Sequence, residues 1–226
     1  IYTVYKSSAA SDVYKRQELV QRINTFISDT IRSEFNLESH LELEYERHFL
    51  KLFMPALRGG EEGAKKRYVG LVAEPDKEKL VFTGLEFVRS DWTRLARNFQ
   101  YELFDRIFHD REVVEGIKEI VSKLRNHIFD DDLIYVKRLR KPPMEYVKVV
   151  PPHVKAALLL GPQAGDLKEI RYVMTRRGPV PRALTHDDLD YTHYIEKQLK
   201  PIADAVLQFL DLSFSEIVGG RQLKLF

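Results

Sequence analysis

At 226 residues the chain fits one large domain or two modest ones. Apolar residues at 44% and aromatics at 11% are enough for a packed core and exclude a globally disordered chain, while the absence of cysteine excludes a disulfide framework or a thiolate metal site and fits a reducing compartment. No apolar run reaches transmembrane length and no secretory pattern opens the sequence, so no membrane association and a cytoplasmic location are expected.

The formal charge of +2 is unevenly spread. Residues 134–182 hold eleven Lys/Arg against three Asp/Glu, and residues 183–216 reverse this with seven acids against two lysines. A basic zone beside an acidic one suggests a polyanion-facing surface backed by an ordinary solvated one.

Residues 1–17, "IYTVYKSSAASDVYKRQ", carry neither a clean period nor turn chemistry; "SSAASDVYKRQ" resembles translated adaptor sequence. They are expected to be a non-native leader, with a short native linker as the alternative. From Glu18, Leu19, Val20, Ile23, Phe26, Ile27, Ile31 and Phe35 recur at spacings of three and four, which predicts one apolar helix face ending near Asn36. In "LELEYE" the period becomes two, with Leu41, Leu43 and Tyr45 opposite Glu42, Glu44 and Glu46. This predicts a half-buried strand, continuing through "FLKLFMPAL" to a turn at Gly59-Gly60. "AKKRYVGLVA" is the returning strand, Pro75-Asp76 a turn, and "KLVFTGLEFV" a further strand reaching Val88.

The character changes at Ser90, an N-cap for a helix with Trp92, Leu95, Ala96, Phe99, Leu103 and Ile107 on one face. A second helix runs from about Glu112 to Arg125, with Val113, Ile117, Ile120, Val121 and Leu124 inward, and "DDD" at 130–132 breaks it. The basic zone shows little helix pattern. A last helix spans about Leu189–Leu212, kinked near Pro201, before the glycine-led end "GGRQLKLF". The fold class is α+β.

"KKRY" by alternation sets Lys65 and Arg67 opposite Lys66 and Tyr68. Long cations and a tyrosine hydroxyl suit phosphate oxygens, and they equally suit a solvated edge strand protected by lysines. Glu44 and Glu46 are solvated carboxylates unless a divalent metal lies nearby, since Mg²⁺ prefers carboxylate oxygen. The histidines show no metal spacing; His186 and His193 read as surface residues, and His153 as either a helix start or a polyanion contact.

Taken in order, "LELEYERHF", "KKRYVGL", "TGLEFVRSDW", "TRLARNFQYELFDRIF", "VKRLRKPPMEY", "PPHVKAA" and "LDYTHYIEKQLKP" resemble the carboxyl-terminal part of a family B DNA polymerase, and within that family a bacterial one. Ala64 and Thr83 depart slightly, at positions where the family often has Ser or Thr and Lys. The resemblance implies that residues 18–89 are the end of an antiparallel palm, 90–215 a mostly helical thumb and 216–226 a flexible tail. It implies that Lys65, Lys66 and Tyr68 lie against primer-template duplex DNA and that Arg89 holds primer phosphates. Asp91 and Trp92 would fix the palm–thumb junction by capping and packing. Lys137, Arg138 and His153 would contact duplex from the thumb, and Glu46, less directly Glu44, would lie near the catalytic metals.

The family's two metal-binding aspartate motifs, "DxxSLYPS" and "YGDTDS", do not occur. The resemblance therefore implies part of a DNA-directed DNA polymerase serving replication and repair: Mg²⁺-dependent when full length, inactive and without bound metal by itself. The end "QLKLF" resembles the peptide that bacterial replication proteins insert into the sliding clamp; a chance match at the last five positions is on the order of one in 10⁵. Gln222, Leu223, Leu225 and Phe226 would be its anchors, with an apolar end folded back on the thumb as the alternative. From another class, a free-standing non-catalytic nucleic-acid-binding module fits the same basic zone.

Overall fold

The computed structural model describes residues 2–3, 9–55, 66–74, 77–165, 167–184 and 188–219, with side chains from Tyr14 onward. It is a mixed α+β structure. By packing the chain divides into two units, Ile1–Phe53 with Gly70–Val81 and Met54–Val69 with Phe82–Phe226.

The first unit holds α1 (Ala9–Phe35) and most of a sheet whose order is β1 (Tyr2–Thr3), β2 (Lys51–Phe53), β3 (Tyr68–Ala73) and β4 (Glu78–Thr83). The helix runs unbroken through residues 9–17, the stretch expected to be a leader outside the fold. Its apolar face forms but is largely open: Leu19, Phe26 and Phe35 are 54%, 70% and 64% exposed. The "LELEYE" strand is not observed. Residues 36–49 carry no strand, and Leu41, Leu43 and Tyr45 are exposed. The backbone of Leu43 is met by a side chain instead: the Asn24 amide donates to the Leu43 carbonyl (3.0 Å) and its oxygen accepts the Leu43 N–H (2.9 Å). Alternation specifies a strand only when another strand supplies the ladder, and here one asparagine satisfies a single residue. Pairing begins where the Leu50 N–H donates to the Leu71 carbonyl (2.7 Å). At Gly70 the Phe49 ring presses so close that a Cβ would lie 2.0 Å from it.

The second unit is packed more densely. β4 stops at Thr83 rather than Val88, because Gly84 turns left-handed at φ +62°; a 3₁₀ turn, Glu86–Val88, follows. α2 (Arg94–Phe108) is capped by Thr93, not Ser90: the Thr93 hydroxyl accepts the Ala96 N–H at 3.2 Å. Thr93 is fully buried, and its N–H and hydroxyl both donate to the Gln198 side-chain oxygen at 3.2 and 3.0 Å. Trp92 thus precedes the helix, and Phe104 and Phe108 complete the face that Leu95, Ala96, Phe99 and Leu103 begin. α3 (Val113–Arg125) packs on α2 and buries Ile117, Val121 and Leu124 as its period predicts.

Residues 130–132 form a 3₁₀ turn whose acids act as separate staples. Asp130 accepts from the Tyr191 hydroxyl, Asp131 pairs with Arg182, and Asp132 with Arg94. The basic zone, which carries no clear period, contains a three-stranded antiparallel sheet of β5 (Tyr135–Arg138), β6 (Glu169–Thr175) and β7 (Gly178–Pro181). α4 (Pro152–Leu158) packs on β6 and β7. Residues 90–215 are mostly helical, as expected, with this small sheet set into them.

The final helix runs as α5 (Tyr191–Tyr194), a π-helical turn over Ile195–Leu199 and α6 (Lys200–Leu207). The irregularity sits just before Pro201, whose missing N–H cannot continue the α ladder. A 3₁₀ turn ends at Asp211 in left-handed conformation (φ 53°), and α7 (Phe214–Gly219) then packs on α3 and α6. Gly219 closes a helix whose Phe214 and Ile217 are buried.

Candidate nucleic-acid interface

The second unit gathers Arg89 and Lys137 around one carboxylate, and His153 lies within reach of the Lys137 charge. Arg89 caps the 3₁₀ turn in extended conformation, and a loose turn from the Arg89 carbonyl to the Trp92 N–H (3.5 Å) brings Asp91 back beneath it. The guanidinium grips Asp91 through two atoms, Nε to Oδ1 at 2.9 Å and Nη2 to Oδ2 at 2.7 Å. Asp91 therefore pairs with Arg89 instead of capping α2. On β5, Lys137 brings its Nζ to 4.0 Å from the same Oδ2. The Arg89 hydrogen bond, partly opposed by burial, holds the Asp91 carboxyl below the usual range, and the same bond raises Arg89. Burial, and then the Lys137 charge, push His153 on α4 below the ordinary histidine value.

Lys137 and Arg138 do not act side by side. Successive strand residues face opposite ways, and Lys137 turns toward Asp91 while Arg138 is exposed, registered opposite Glu169 on β6. Lys66 is exposed and precedes β3 rather than lying within it; Tyr68 opens the strand and is half-buried. Lys66 is placed by its own backbone, because a Cβ on Gly84 would stand 2.0 Å from the Lys66 carbonyl oxygen. Only glycine permits that approach at a positive φ. Arg67 is held by Glu86 (2.5 Å). Glu86 also accepts from the Gln100 amide (2.8 Å), and the Gln100 oxygen accepts the Phe87 N–H (2.6 Å). The sequence contained no signal for this relay beyond a buried glutamine on an apolar helix face.

Glu44 and Glu46 belong to the first unit, exposed on the extended stretch. Among the described residues no three His, Cys, Asp or Glu side chains gather to hold a metal, and no helix is long and apolar enough to cross a membrane. Lys65, His186, Gln222, Leu223, Leu225 and Phe226 lie outside the described residues. His193 is half-buried rather than on the surface and meets the Tyr135 hydroxyl at 3.0 Å.

The two helices and the small sheet treat their cations differently. On α2 and α3, Arg94, Arg106, Lys118 and Lys123 each pair with a carboxylate. Around β5, β6 and α4, Arg138, Arg140, Lys148, Lys155, Lys168 and Arg171 are exposed, and none has a carboxylate partner among the described residues. These six cations are thus not neutralised among the described residues, whereas Lys137, Arg176, Arg177 and Arg182 of the same zone meet Asp91, Asp188 and Asp131.

Residues 10–204 match the family described as DNA polymerase family B. The chain is 44% identical over 217 residues to DNA polymerase II of Escherichia coli (strain K12), covering 92% of this chain and 28% of that protein. It is 29% identical to DNA polymerase 2 of Aeropyrum pernix over 96% of this chain and 26% of that protein. To a DNA polymerase of Pyrococcus horikoshii it is 30% identical, over 85% of this chain and 16% of that protein. It thus spans between 16% and 28% of the length of these relatives, and with the family match covering residues 10–204 the chain belongs to DNA polymerase family B.

Proposed function

We propose that this chain is the part of a family B DNA polymerase that grips the primer-template duplex behind the point of synthesis. Residues 18–89 are then the end of the palm and 90–215 the thumb. The carrying observation is the set of exposed, unpaired cations around β5, β6 and α4 beside the Arg89–Asp91–Lys137 cluster. Cations without internal partners are suited to phosphates, which hold a duplex without reading its sequence. Lys65, Lys66, Tyr68 and Arg89 contact the primer side, and Lys137, Arg138 and His153 the duplex from the thumb.

The parent enzyme transfers deoxynucleotides by a two-metal mechanism at the nucleoid. Mg²⁺ there would polarise the triphosphate. The described residues do not fit such a site alone, since Glu44 and Glu46 stand exposed without a third ligand near them. Their role is to flank acids carried elsewhere in the enzyme, and this chain by itself incorporates no nucleotide. The tail, through Gln222, Leu223, Leu225 and Phe226, tethers the enzyme to a bacterial sliding clamp.

Fluorescence anisotropy with a labelled primer-template at several salt concentrations tests the grip. The chain should bind with little sequence preference, and Lys66→Ala and Arg89→Ala should each lower the salt slope by about one unit. Tyr68→Phe should weaken binding without changing the slope. No binding at low salt, or unchanged affinity in all three variants, returns these residues to a solvated surface. Clamp binding by the chain at about micromolar strength, about −8 kcal/mol, should vanish when Leu225 and Phe226 are both replaced by Ala. Equal binding by that double variant removes the clamp as a partner.

A further inference from the structure

Resting on the duplex-gripping reading, we infer that Asp91 is a positioning residue, which fixes the Arg89 guanidinium by its Nε–Nη2 edge and so presents the remaining N–H groups to a DNA phosphate. A guanidinium has two edges that can each take a bidentate oxyanion. Asp91 occupies the side-on edge, at 2.9 and 2.7 Å, which leaves Nη1 and the outward Nη2 hydrogen unclaimed by Asp91 on a half-exposed side chain. Stability does not account for the arrangement, because an ion pair this exposed adds little to folding. What a bidentate bond supplies is orientation: a long, rotamer-rich side chain is ordered before the ligand arrives, so less entropy is lost on binding. Lys137 at 4.0 Å from the same carboxylate ties β5 to the arrangement, and the lowered carboxyl keeps the pair ionised across the neutral range.

The inference opposes simple electrostatics, which makes it testable. Removing an anion beside two basic groups, Arg89 and Lys137, should tighten binding to a polyanion if Asp91 is only a nearby charge. As a positioning residue its removal weakens binding. Duplex affinity and salt slope are measured for the chain, for Asp91→Ala, for Arg89→Ala and for the double variant. Asp91→Ala should bind roughly tenfold more weakly than the unaltered chain and lose about one unit of salt slope, as Arg89→Ala does. In the Arg89→Ala background the same substitution should weaken nothing further.

Equal or tighter binding by Asp91→Ala overturns the inference while leaving the gripping reading intact. Weakening of the same size in the Arg89→Ala background also overturns it, since damage to the fold does not depend on Arg89. Should Asp91→Ala fail to fold by circular dichroism, Asp91→Asn, which keeps the shape without the charge, is judged by the same two criteria. No duplex binding by the unaltered chain overturns the gripping reading, and the inference with it.

Discussion

Helices α1 and α2 share a three-and-four apolar spacing and meet opposite fates. On α2, Phe99 and Leu103 are each 2% exposed. On α1, Phe26 and Phe35 remain mostly in solvent. A period of 3.6 states which face of a helix is apolar but not what covers it. In the second unit α3, α6 and the π turn cover the face of α2. The two units are therefore expected to respond very differently to matched substitutions.

The largest contrast is between two phenylalanines. Phe99→Ala should cost about 3–5 kcal/mol, by lost transfer energy and the cavity left behind. Phe26→Ala, at an exposed site, should stay within about 0.5 kcal/mol. Urea unfolding of the two variants measures both; similar costs would mean that α1 is covered in solution and the comparison fails.

A pair of glycines gives the next contrast. Gly84→Ala must place a Cβ against the Lys66 carbonyl at φ +62°, which should cost roughly 1–3 kcal/mol and loosen duplex binding by shifting Lys66. At Gly70 the obstacle is the Phe49 ring, which can rotate away, so Gly70→Ala should cost less. Equal midpoints in urea would show that the Lys66 backbone yields as readily as a ring.

Two amides come third. Gln198→Ala strips the fully buried Thr93 of the acceptor for its N–H and hydroxyl, at about 1–3 kcal/mol. Asn24→Ala removes two bonds to Leu43 that water can replace, with a cost below about 1 kcal/mol. A larger loss at Asn24 would establish that this side chain holds the whole extended stretch.

The smallest effect belongs to His153. Its folded value is lowered, so between that value and the unfolded value of about 6.5 the unfolded chain binds more protons. The histidine's contribution to stability is complete above that window and is lost as the pH falls through the folded value. His153→Gln should flatten this limb of a stability-against-pH curve; an unchanged limb would assign it to other groups.

Local pattern alone determined much of this protein. The faces of α2 and α3 and the family motifs from "KKRY" to "IEKQLK" are written in periodicity and residue type, because a helix face is specified by neighbours in the chain. The irregularity ahead of Pro201 follows from a missing N–H. Only the tertiary structure decided whether a pattern became a strand or a buried face. "LELEYE" alternates cleanly yet forms no strand, because a ladder needs a partner that no single strand encodes. Strand β5 finds its place only by pairing with β6 more than thirty residues on, whereas β6 and β7 form a short hairpin.

The site divides along the same line. Positive charge in residues 134–182 was visible in composition, but not which cations lacked a partner, since pairing depends on where acids from distant segments arrive. Nor could spacing show that Asp91 faces Arg89 and Lys137 rather than the end of α2. That is fixed by Thr93, which is held by Gln198 from the far end of the chain and takes the capping position itself.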